Sequence, residues 1–228
     1  IVDYMAGLTM AFSLVSGVLS ARDSGIGRDI DVSLFDTAMF NQSYVAAWAL
    51  NTDHKPERLD RSAHPVLVPC QLYKTSDGWI YLMCNKESFW PILCEHIGRK
   101  DLGEDKRFLN FKLRQENRSL ITEILDEELS KKSTSEWLKI FAGNVPAAPI
   151  LDVKSSLENE FVKERNNIQT IMTRKKKNIS LLKTPVRFDT ENHVDKTAPE
   201  LGEHNEEIFT KLGYSMEEIK SLKNKDII

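Results

Sequence analysis

An aspartate stands third in the chain, in "IVDYMAGLTM", and leads into an apolar run that extends to Ala21. A carboxylate at the start of a helix has two physical uses. It can cap the unpaired N–H groups of the first turn. Held ionised by the partial positive charge there, it can also attack an acyl carbon, provided nearby donors stabilise the oxyanion that forms. Position alone leaves both uses open for Asp3. Two histidines invite a general-base reading, His64 before Pro65 and His204 in "LGEHNEE". Neither has a sequence-local partner. His204 reads as a capping or surface residue near a helix start, whereas His64 lies in a polar linker, where functional residues concentrate.

The cysteines, Cys70, Cys84 and Cys94, lack C-x-x-C spacing, and the five histidines do not fall at ligand intervals around them. No metal is expected, and a reduced, cytoplasmic interior is the simplest setting. Cys70 and Cys84 read as packing residues, as do Trp79, Trp90 and Trp137. Gly25-Ile26-Gly27 follows a helix where a dinucleotide loop needs a strand. A net charge of -3 over 228 residues supplies no basic field for nucleic acid. The basic run Arg174-Lys175-Lys176-Lys177 reads as a solvated turn. Met5 to Ala21 carries Thr9, Ser13, Ser16 and Ser20 and lacks a basic flank, so a buried core helix is preferred to a membrane span or signal.

The elements that must position these residues follow from periodicity. Met5 to Arg22 is apolar nearly all round, the pattern of a helix enclosed on several sides. "RDIDVSL" (Arg28 to Leu34) alternates as a strand would. Asp36 is placed to cap a second helix, Thr37 to Leu50. Asn51 to Ala63 is a polar linker. "CQLYKTSDGWIYLMC" is a hairpin whose turn assigns a positive φ to Gly78. Helices are expected over Ser88 to Ile97, closed by Gly98, and over Arg114 to Leu129. A capping box, Ser133 with Glu136, precedes "WLKIFAG". "VPAAPILDV" is extended, Ser155 to Glu164 helical, and Ile168 to Thr173 and Ile179 to Phe188 can pair as strands. Two short helices end the chain, the first stopped by Gly213 and the second opened by a capping box of Ser215 and Glu218.

Taken in order, "DYMAGLTMAFSLVSGVLSARDSGIGRDIDVSLFDTA", "HPVLVPCQLYKTSDGWIYL", "LRQENRSLITEIL", "STSEWLKIFAGNVPAAPILDV" and "APELGEHNEEIFTKLGY" resemble the class III CoA-transferases, the CaiB/BaiF type. The resemblance implies an α/β fold: the C-terminal portion of a Rossmann-like large domain, plus an inserted small α+β domain, in an interlocked homodimer. Residues 1–50 and 145–228 would belong to the large domain, 51–64 to a linker and 65–144 to the small domain. It implies that Asp3 is the nucleophile in transfer of coenzyme A, the cosubstrate, between an acyl-CoA and a carboxylic acid. An acyl-aspartyl anhydride and an aspartyl-CoA thioester would be the intermediates. Ala63, His64 and Pro65 would contact substrate, since they fall where formyl-CoA transferases carry a glycine lid. The missing glycines argue against oxalate or formate as substrate. α-Methylacyl-CoA racemase activity and an inactive scaffold are the competing readings. The chain reads as a fragment starting at its own nucleophile, expected to be inactive and poorly soluble alone.

Overall fold

The apolar run after Asp3 folds as one helix, α1 (Val2–Ser24), ended by Gly25 in the left-handed conformation at φ 71. The computed structural model describes residues 1–53, 55–187 and 197–228. They form two compact units, Ile1–Ile150 and Leu151–Ile228. No residue of α1 is buried, and Phe12 keeps 75% of its exposure. The enclosure expected from its composition is therefore not supplied by the described residues. What does approach it comes very close: a Cβ added at Gly17 would lie 2.5 Å from Ile30 Cδ1. By length and composition alone, α1 is also long and apolar enough to cross a membrane.

The strand expected over Arg28 to Leu34 does not form, and the backbone is irregular up to Ser33. Alternation creates a strand only where a neighbour completes its hydrogen bonds. Among the described residues none runs alongside. The next cap is also corrected. Ser33, not Asp36, caps α2 (Leu34–Phe40): its Oγ accepts from Asp36 N at 3.0 Å and donates to Asp36 Oδ2 at 2.7 Å. The expected single helix is split into α2 and α3 (Ser43–Asn51), because Ser43 takes a left-handed φ of 49. His54, in the linker, lies outside the described residues.

The hairpin forms as expected, β1 (Cys70–Lys74) against β2 (Trp79–Met83), with Tyr73 opposite Ile80. Period-two alternation turns Tyr73, Ile80 and Leu82 inward, where they are fully buried. Gly78 does not adopt the expected positive φ. The turn is instead held by Asp77, whose Oδ1 accepts from Thr75 Oγ1 at 3.2 Å and from Thr134 N at 2.8 Å. That ties the turn to the N-terminus of a helix distant in sequence.

Helix α4 (Phe89–His96) is followed by Gly98 at φ 78, then by α5 (Lys100–Glu104). The single helix expected over Arg114 to Leu129 is interrupted, giving α6 (Phe111–Glu116) and α7 (Arg118–Leu129). Asn117 causes the break: its side-chain amide donates to Leu113 O at 2.9 Å, competing for a helical carbonyl. The capping box of Ser133 and Glu136 opens α8 (Thr134–Phe141) as read from sequence. The extended exit becomes β3 (Ala147–Pro149), a third strand antiparallel to β2.

One core runs from Val68 to Val145 through these elements. Trp90 meets Phe108 edge-on at 5.9 Å, and Trp137 stacks on Phe141 at 5.3 Å. Inside it lies a cation, Arg114, 1% exposed. Its guanidinium donates to Val68 O at 2.7 Å and Phe108 O at 2.8 Å, and pairs with Glu87. Burying that charge is tolerable because each face of the fork meets an acceptor.

In the second unit the expected 155–164 helix is two short ones, α9 (Val153–Leu157) and α10 (Glu160–Glu164), because Asn159 accepts from Phe161 N and starts a new turn. β4 (Ile168–Met172) pairs antiparallel with β5 (Asn178–Leu182). The second strand thus ends at Leu182; Phe188, where the sequence reading ended it, lies outside the described residues. The basic run forms the exposed turn between them, with Arg174 paired to Glu203. His204 stands at the N-cap of α11 (Asn205–Lys211), without a side-chain capping bond. Gly213 at φ 95 separates this helix from α12 (Met216–Asn224), opened by the capping box of Ser215 and Glu218.

Candidate active site

Asp3 lies in the first turn of α1, and its side chain makes no capping bond; Ile1 occupies the cap position. Its carboxylate is exposed and has no hydrogen bond or ion pair among the described residues. The choice between cap and tool is thereby narrowed: the side chain is not occupied as a cap.

The second group, Ala63, His64 and Pro65, is held much more firmly. Its main chain is strapped to α7 by Arg118, whose Nη2 donates to His64 O at 2.8 Å and Pro65 O at 3.1 Å. Gln115 Nε2 donates to Pro65 O at 3.1 Å, and His64 N to Cys70 O at 2.9 Å. The His64 ring folds over its own loop, its Nδ1 accepting from Val66 N at 3.1 Å and Leu67 N at 3.0 Å. Tyr44 of α3 stacks on the ring at 5.7 Å. Partial burial, and then the neighbouring Arg118 cation, lower the imidazole pKa from its usual value.

Asn41 connects this loop with the start of α1. Its side-chain amide reaches Met5 Sδ at 3.2 Å, and α3, which carries Tyr44, begins two residues later. Packing therefore runs from the turn of Asp3 through the α2–α3 junction to His64. The structure does not place Asp3 and His64 side chains in direct contact.

Beside the loop is a cleft of about 400 Å³ lined by Arg61, Ala63, Gln71, Arg118, Thr122 and Asp126, among others. Arg61 pairs with Asp126 at 2.7 Å, and Gln71 Nε2 donates to Thr122 Oγ1 at 3.0 Å. Two of the cysteines are held in the thiol form. Cys84 and Cys94 are buried thiols whose pKa values are pushed up to about 12, chiefly by burial. Among the described residues no group of metal-ligating side chains comes together.

Sequence reasoning missed Arg118 and the role of Tyr44. Tyr44 was legible only as an apolar face of its helix, and Arg118 as one cation among many. Their relation to His64 depends on contacts across 20 and 54 positions.

Comparison with known proteins agrees with this architecture. The model of CoA-transferase family III matches residues 1–205. The chain is 30% identical over 153 residues to the acetyl-CoA:oxalate CoA-transferase of Acetobacter aceti, covering 66% of this chain and 39% of that protein. It is 26% identical to the probable fatty acyl-CoA transferase Rv3272 of Mycobacterium tuberculosis, covering 90% and 55%. A solved structure of Rv3272 superposes with a TM-score of 0.77 at 25% identity, covering 90% of this chain and 54% of the other. A CaiB/BaiF family protein from Brucella suis superposes with a TM-score of 0.73 at 27% identity, covering 92% and 55%. With mixed helices and sheet in this arrangement, the chain belongs to CoA-transferase family III. It spans 39% to 55% of the length of these two curated relatives.

Proposed function

We propose that the protein carrying this chain transfers coenzyme A from an acyl-CoA to a carboxylic acid, with Asp3 as nucleophile. The observation that carries this reading is a carboxylate without a protein partner, at a helix N-terminus, in a chain of this family. In the proposed course, an Asp3 oxygen attacks the thioester carbonyl and the C–S bond breaks. The products are an acyl-aspartyl anhydride and CoA thiolate. The thiolate then attacks the aspartyl carbonyl, giving aspartyl-CoA thioester and releasing the first acid. The acceptor carboxylate attacks that thioester, and the returning thiolate takes up the new acyl group and restores Asp3. Every step exchanges one activated acyl for another, so no nucleotide is consumed, and water must be kept out.

The names of the relatives support the acceptor class. Oxalate, glutarate and L-malate appear among them, and what these share is the carboxylate. The same reading assigns residues 1–50 and 145–228 to the family's large domain and 65–144 to its small one, in an interlocked homodimer. It takes α1 as a core helix of the larger assembly, since the family match runs through it. The buried free thiols suit a cytoplasmic, reducing setting.

Incubation with acyl-CoA and hydroxylamine tests the proposal. An aspartyl hydroxamate should form at Asp3 and vanish in Asp3→Ala; a chain that never yields it removes the nucleophile. Rapid deuterium uptake into a 2-methylacyl-CoA from heavy water, without an acceptor acid, would indicate racemisation instead.

A further inference from the structure

The His64 ring has a chemical asymmetry that the loop alone does not require. Nδ1 accepts two main-chain N–H groups, from Val66 and Leu67, so its lone pair faces the loop and cannot carry a proton. In the neutral ring the proton then sits on Nε2. That N–H has no acceptor among the described residues. The ring cannot readily turn to find one, being stacked on Tyr44 and folded over a main chain fixed by Arg118 and Gln115. A donor on a half-buried ring, fixed in tautomer and direction and with no protein partner, is how a polypeptide presents a hydrogen bond to a ligand oxygen.

We infer that His64 donates through Nε2–H to a carbonyl or carboxylate oxygen of the acyl substrate, while Nδ1 holds the loop that aims it. This rests on, and deepens, the CoA-transfer reading. The proton stays on His64 throughout; the ring orients and stabilises oxygen charge and is not a general base. Arg118 from α7 and Tyr44 from α3 are the charged and titratable side chains seen against it. Neither competes as an acceptor in the geometry observed. Adding a proton at Nδ1 would expel both main-chain donors, so donor function and loop order should fail together in acid.

Two substitutions separate the ring's halves. Asn at position 64 offers an acceptor near the place of Nδ1 but no donor at Nε2, whereas Ala removes both. In the intact enzyme, His64→Asn should keep the amide protection of Val66 and Leu67, yet lower kcat by roughly 100- to 1000-fold, the scale of a lost oxyanion donor. It should also abolish any acid limb due to His64. Nitrogen-15 spectra of the wild type should show Nδ1 unprotonated and Nε2 protonated, with Nε2–H moving on addition of acetyl-CoA or acetate. If Asp3 is trapped as its hydroxamate but His64→Asn retains wild-type kcat, the inference is overturned and the Asp3 reading stands. If the enzyme transfers no CoA, that reading fails instead, and an Nε2–H resonance unmoved by either ligand overturns the His64 role as well.

Discussion

Helix α1 and the module from Val68 to Val145 are both rich in large apolar side chains, yet they end up opposite. In the module these side chains close on one another around the hairpin, with Trp90, Leu93, Phe108, Leu125 and Phe141 at 2% exposure or less. In α1 no residue is buried, and Leu8 and Phe12 remain mostly exposed. Apolar composition is thus a demand for cover, which sequence neighbours can meet only where they supply several faces at once. The module supplies them with the β1–β2 hairpin and five helices, α4 to α8, and β3 directly after it completes a three-stranded sheet. α1 has Ile30 and α2 along one side.

The contrast can be broken most directly by truncating one aromatic in each region. Trp90→Ala should cost about 3–5 kcal/mol, the range for a buried aromatic. In the 228-residue chain by itself, Phe12→Ala should change stability by no more than about 0.5 kcal/mol. Denaturant unfolding of the two variants checks both; equal losses would mean that α1 is covered after all. Next, Arg114→Ala leaves Val68 O and Phe108 O buried without their donor, and should cost about 1–3 kcal/mol. Its midpoint shift in urea is the measurement, and a shift near zero would show those carbonyls finding other donors. Asp77→Ala removes the tie between the hairpin turn and the start of α8, an effect of about 1 kcal/mol by analogy with helix caps. Amide exchange at Thr134 should rise accordingly.

The smallest effect is the pH dependence of the site loop. His64 has a folded pKa below its ordinary 6.5, so the unfolded chain binds its proton first as pH falls. Its stabilising contribution is therefore complete above about pH 6.5 and is lost as the pH drops through the lower folded value. Thermal unfolding between pH 7.5 and 5 should show this loss, and His64→Asn should flatten it. An unchanged slope would mean that the ring titrates as it does in the unfolded chain.

Local chemistry made much of this legible. Both capping boxes, the glycine stops at Gly25, Gly98 and Gly213, and the β1–β2 hairpin follow from rules that act within a few residues. Where two side chains compete for one backbone, those rules gave the wrong boundary. Asn117 and Asn159 each interrupt a helix that periodicity alone continues, and Ser33 takes the cap assigned to Asp36. The strand over Arg28 to Leu34 failed for a different reason. Alternation describes which side chains can share a face, but a ladder needs a second backbone.

The sequence by itself determined that Asp3 begins a helix, that the region after the linker is a hairpin followed by capped helices, and which family the ordered motifs belong to. These depend on contacts within a turn or on order along the chain. Only the tertiary structure decided that Asp3's side chain is left unoccupied, that Arg114 is the buried cation of the core, and that Arg118 and Tyr44 fix His64. Such relations depend on which surfaces meet after folding, and no local periodicity encodes a partner dozens of residues away.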